Sequence, residues 1–60
     1  MIVMDFIELV SDETNVCLVC DDEQVACYNG KDAIEARFNY KEVLRIVPYW
    51  NSRCIDLVIA

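Results

Sequence analysis

Four cysteines, Cys17, Cys20, Cys27 and Cys54, are the side chains of this sequence best suited to chemistry. Cys17-Leu18-Val19-Cys20 has the C-x-x-C spacing of zinc ribbons and thioredoxin-like redox sites, which makes all four candidate metal ligands. Zinc sites of this kind place the pair on a tight turn, where both sulfurs converge. Here the two intervening residues lie in a run, Val16-Cys17-Leu18-Val19-Cys20, that favours a strand. Side chains three apart on a strand point to opposite faces, so Cys17 and Cys20 are expected to diverge. In the expected hairpin Cys20 and Cys27 share one face and Cys17 takes the other. The reading is therefore four reduced thiols packed as small hydrophobes, with no metal and no cofactor.

Histidine, the usual general base and metal ligand, does not occur. Ser–His–Asp and Cys–His catalysis are thereby closed to a single chain. Carboxylate pairs need a cleft that sixty residues can hardly build. No catalytic residue is assigned, and the expectation is a protein that is not an enzyme.

Eleven acidic residues against five basic ones leave a net charge of −6. Phosphate recognition takes clustered Lys and Arg, so direct nucleic-acid binding is not expected. An acidic inhibitor that imitates nucleic acid and occupies its binding protein is the alternative reading. Asp21-Asp22-Glu23 is the one acidic run, however, and Arg37, Lys41, Arg45 and Arg53 interrupt the second half. Tyr49 and Trp50 follow Pro48 in what reads as a loop. Aromatics dominate interface hot spots, which makes the pair candidate interaction residues. The competing reading has Trp50 folded back over the end of its own core.

These residues must be positioned by few elements. Sixty residues make a single small domain, 1–60, and 57% of them are hydrophobic. Asp5, Glu8 and Asp12 are spaced three and four apart, which puts them on one helical face. A short helix over residues 2–10 follows, with Ile2, Val3, Phe6, Ile7, Leu9 and Val10 as its apolar stripe. Val16 to Cys20 and Val25 to Tyr28 read as a hairpin around a four-residue loop, Asp21-Asp22-Glu23-Gln24. Gly30 supplies the positive φ that the next reversal needs. A one- or two-turn helix from Asp32 to Phe38 is expected to point Ile34 and Phe38 at the core.

A strand from near Glu42 is expected to stop at Pro48. Across a loop it meets a last strand from Arg53 to Ile59. With Pro48 opposite Arg53, Ile46 faces Ile55, Leu44 faces Leu57 and Arg45 lies opposite Asp56. The expected fold is α+β: a short N-terminal helix on a small antiparallel sheet of two hairpins joined by a short helical segment. Were residues 1–10 a strand, the chain could instead close into a small SH3-like or Sm-like barrel.

The succession of Phe6 to Val10, Ser11 to Thr14, Val16 to Val19, Tyr28-Asn29-Gly30, Glu42-Val43-Leu44-Arg45-Ile46 and Ile55 to Ile59 resembles a known pattern. It is similar to short uncharacterised proteins of bacteriophages and mobile elements of Gram-positive gut bacteria. Where those often place Ile-Pro in the middle helix, this chain has Ile34-Glu35. The resemblance implies no site.

Both faces of each hairpin carry apolar residues, more than a strand with one wet face should. One nine-residue helix cannot cover a whole sheet face. The functional expectation is thus a small acidic interaction module that self-associates as a homo-oligomer, in the first instance a two-fold dimer. A host or phage protein is a further candidate partner. Third comes a zinc or redox module built on the cysteines. No apolar run reaches the length that spans a bilayer, so no membrane partner is expected. The start Met1-Ile2-Val3-Met4-Asp5 lacks a basic leader, from which a cytoplasmic location is expected.

Overall fold

The computed structural model describes residues 1–60. Its elements are helix α1 (Val3–Leu9), strands β1 (Asn15–Cys20) and β2 (Glu23–Tyr28), two 3-10 turns (Lys31–Ala33 and Ala36–Phe38), and strands β3 (Val43–Tyr49) and β4 (Cys54–Ile59). The α+β reading holds, and with a helix at the N terminus the barrel alternative falls.

Residues 3, 6, 7 and 10 form the inward stripe of α1: Val3 and Phe6 are buried, with Ile7 and Val10 packed beside them. At its start the Asp5 carboxylate accepts a hydrogen bond of 3.1 Å from the Ile2 N–H. That satisfies one orphan donor and puts negative charge at the positive end of the helix. At its other end Lys31 Nζ donates to the carbonyls of Ile7 (2.8 Å) and Val10 (2.9 Å). Asp12 holds the same ammonium at 3.3 Å. The chain reaches Lys31 through Gly30, at φ 95°, where a Cβ would stand 3.1 Å from the Asp12 carbonyl oxygen. The positive φ strains any other residue there, and the tight approach to the Asp12 carbonyl adds to the cost.

The sheet order is β2-β1-β4-β3. Both hairpins form, but the sheet is mixed, because the central pair β1 and β4 runs parallel. This corrects the expected antiparallel sheet. The whole segment from residue 21 to residue 53 serves as the crossover that a parallel pair needs. Alternation of apolar residues dictates faces and says nothing about the direction of a neighbour.

The first hairpin turns on two residues, not four: Asp21 and Asp22 adopt φ of 52° and 64°. Consecutive positive φ values give the turn whose twist matches paired strands, and Asp tolerates them better than most residues. A register shift beyond Leu18 then sets Leu18 against Ala26 and Cys17 against Cys27. Each partner is one place from the expected one. A slip of one residue exchanges faces, so Cys27 lies with Cys17 and not with Cys20.

In the second hairpin β3 continues through Pro48 to Tyr49, which pairs with Cys54. Pro48 does not end the strand, because an edge strand can leave an N–H position unused. Ile46 faces Leu57 and Pro48 faces Ile55. This slide of two places keeps the expected faces. A second irregularity falls between Val43 and Arg45, so that Val43 pairs with Ile59 and Arg45 with Val58. Leu44 therefore does not face Leu57 and stands 60% exposed, while Val43 packs on the core.

The core joins Val3 and Phe6 of the helix to Val16, Leu18, Leu57 and Ile59 of the sheet. Ile34 and Phe38 complete it, as expected, though not from one helix: Ile34 follows the first 3-10 turn in extended backbone and Phe38 closes the second. No helix is long and apolar enough to cross a membrane.

Candidate functional site

Because α1 and the 3-10 turns cover one side of the sheet, alternate residues of every strand are left on the other. Direct pairing fixes the members of that open face. Cys17 pairs with Cys27 on one side and with Asp56 on the other, Val19 with Val58, Val58 with Arg45, and Asp56 with Val47. Cys54 at the start of β4 and Tyr49 at the end of β3 pair with each other and belong to the same face.

Three of the four candidate cysteines meet here. Cys17 and Cys27, with Cα atoms 4.0 Å apart, are joined by a disulfide. The expectation that all four cysteines are reduced is corrected accordingly. Its cause is the one-residue irregularity between Leu18 and Val19. The shortened turn alone would move partners two places and keep their faces, whereas this further step sets Cys27 on the face of Cys17 and directly opposite it. Narrow antiparallel pairs bring side chains close enough for such a bond. Cys54 is a free thiol with its Sγ 3.7 Å from that of Cys17. Cys20 is also free, but it packs against the core on the covered side. The C-x-x-C pair thus diverges as its strand geometry requires.

One member was missed from sequence. The ligating atoms of Cys17, Cys54 and Asp56 lie within 4.8 Å of one another, all three residues being half-buried. Asp56 Oδ2 also accepts a hydrogen bond of 3.2 Å from the Tyr49 hydroxyl. That bond and the adjacent negative charge raise the Tyr49 pKa above its ordinary value. The signal available was the spacing Cys54-Ile55-Asp56, which on a strand puts thiol and carboxylate on one face.

The aromatic candidates fall at the end of this face. Tyr49 closes β3, within the strand and not in the loop, and is half exposed. Trp50, in the turn beyond, stands 86% exposed and does not fold back over the core. Both line an open cleft of about 430 Å³ together with Pro48, Thr14, Arg53 and Ile55. Arg45 and Asp56 bring one charge of each sign to the face, and neither takes part in an ion pair within the chain. The two ion pairs present are Lys31–Asp12 and Arg37–Glu35.

No family model matches the chain, and no match occurs among the curated proteins or the solved structures.

Proposed function

We propose that the chain is a small non-enzymatic interaction module whose open sheet face is its seam, and that the first occupant of that face is a second copy of itself. The observation that supports this reading is the uncovered apolar ground of Val19, Val47 and Val58, with Trp50 exposed at its margin. Valine side chains and an indole left in water favour association, each by the apolar area it can remove from solvent.

Charge at the seam itself does not oppose a like partner. The chain carries −6, yet the seam itself holds Arg45 and Asp56 in balance. Under a two-fold axis the same patch meets itself, so Arg45 of one copy can approach Asp56 of the other. A mimic of nucleic acid would need an extended negative surface, and this face does not offer one. Trp50 and Tyr49 serve as anchors beside the valines, since aromatic side chains supply most of the binding energy where an interface buries them.

Sedimentation equilibrium of the oxidised protein over a dilution series tests the reading. The expected result is a reversible dimer whose dissociation constant rises at least about tenfold, or 1.4 kcal/mol, in Val58→Arg. A monomer at every concentration, or a dimer indifferent to Val58→Arg, would refute it.

A further inference from the structure

We propose that the three open-face cysteines and Asp56 form a binding site for a thiophilic divalent cation, Zn2+, which opens when the Cys17–Cys27 disulfide is reduced. The site lies on the same open face as the proposed seam but needs no second copy, because every ligand comes from one chain.

The geometry carries the assignment. Zinc holds thiolates at about 2.3 Å in a tetrahedron, which separates any two of its sulfurs by about 3.8 Å. Cys17 and Cys54 already hold their sulfurs 3.7 Å apart. They come from neighbouring parallel strands, so the backbone ladder fixes that spacing. Asp56 stands directly beside Cys17 in the same register, with its carboxylate in the cluster. The Tyr49 hydroxyl holds Oδ2 of that carboxylate, as an outer group that orients a metal ligand should. Cys27, directly opposite Cys17, supplies the third sulfur once the bond between them is cut. Cys20, behind the sheet, takes no part.

The disulfide and the metal exclude each other, since a sulfur bonded to sulfur is no thiolate. A dithiol reductant transfers two electrons to the Cys17–Cys27 bond. That bond breaks, two protein thiols form, and the reductant leaves as its own cyclic disulfide. Zn2+ then displaces the protons of the three thiols to solvent. One site is thereby locked under oxidation and available under reduction.

Co2+ reports the coordination directly. Titrated into the reduced, full-length chain under anaerobic conditions, it is expected to bind once per chain. Thiolate-to-cobalt charge-transfer bands and the intense visible bands of a tetrahedral ion should appear together, and Zn2+ should abolish both. The disulfide form should give neither. Cys54→Ser is expected to weaken binding by more than about 100-fold and Asp56→Asn by about tenfold, against no change in Cys20→Ser.

Alkylation of the unaltered protein needs no variant: Zn2+ should slow modification of Cys17, Cys27 and Cys54 and leave the rate at Cys20 unchanged. An absence of charge-transfer bands in the reduced chain would overturn the proposal. So would a Cys20→Ser variant as impaired as Cys54→Ser, or equal protection of all four thiols.

Discussion

The two faces of the sheet are built from the same strands, residue by residue in alternation, and differ in their chemistry. On the covered face Val16, Leu18, Leu57 and Ile59 are buried, an all-aliphatic set. On the open face lie three of the four cysteines, Asp56, Arg45 and Tyr49, among valines that no element of the chain covers. Stability and reactivity are thus separated by a period of two. A substitution on one face should be read as a change of fold energy, and one on the other as a change of what the fold presents.

The largest effect is expected from the covered face. Leu18 and Leu57 are fully buried on the two central strands. Leu18→Ala should cost about 2–5 kcal/mol in urea denaturation, which for a domain this small is a large part of its stability. A loss below about 1 kcal/mol would mean that the face is not close-packed. The next effect belongs to the open face and acts through the unfolded chain. Cys17 and Cys27 are ten positions apart, and cutting a loop of that length should remove roughly 2–3 kcal/mol by chain entropy. Denaturation with and without a dithiol reductant measures this, and Cys17→Ser should reproduce the reduced curve.

Smaller again is the effect of Val58→Ala, which deepens the contrast. Val58 is half-buried and faces away from the core. Its truncation should lower stability less than that of Leu18 while still weakening self-association. The smallest effect is on pH dependence. Tyr49 is raised above its ordinary value of about 10 by its bond to Asp56, so the fold favours the neutral phenol. The stabilisation is present below the unfolded pKa and is lost as pH rises through the folded one. Alkaline titration should therefore show an excess loss of stability in the wild type that Tyr49→Phe lacks.

Much of the covered face is legible in the sequence, because hydrophobic period speaks directly to burial. The spacing of Asp5 and Glu8 marks α1, although the helix ends at Leu9 and leaves Asp12 in the turn beyond, and that of Ile34 and Phe38 marks two core positions. The open face is harder to read for a physical reason. Membership there depends on register, and the face of Cys27 turns on an irregularity between Leu18 and Val19, which no residue type in the strand demands. One residue of slip moves Cys27 across the sheet and hides the disulfide from a reading of alternation alone. The parallel pairing that sets Cys54 and Asp56 beside Cys17 joins residues from opposite ends of the chain, and no local pattern announces it. Leu44 escapes the pattern for a related reason, since an irregularity next to it lets Val43 take the inward position.

If the open face is the surface through which this protein meets others, amide chemical shifts at two concentrations reveal it most directly. Spectra of the oxidised, metal-free chain should be compared at a concentration well below and one well above the dissociation constant. Shifts are expected to concentrate at Cys17, Val19, Val47, Val58 and Trp50, with Val3, Phe6 and Ile7 of the helix unmoved. Shifts centred on α1 and the 3-10 turns, or none at any concentration, would contradict that assignment.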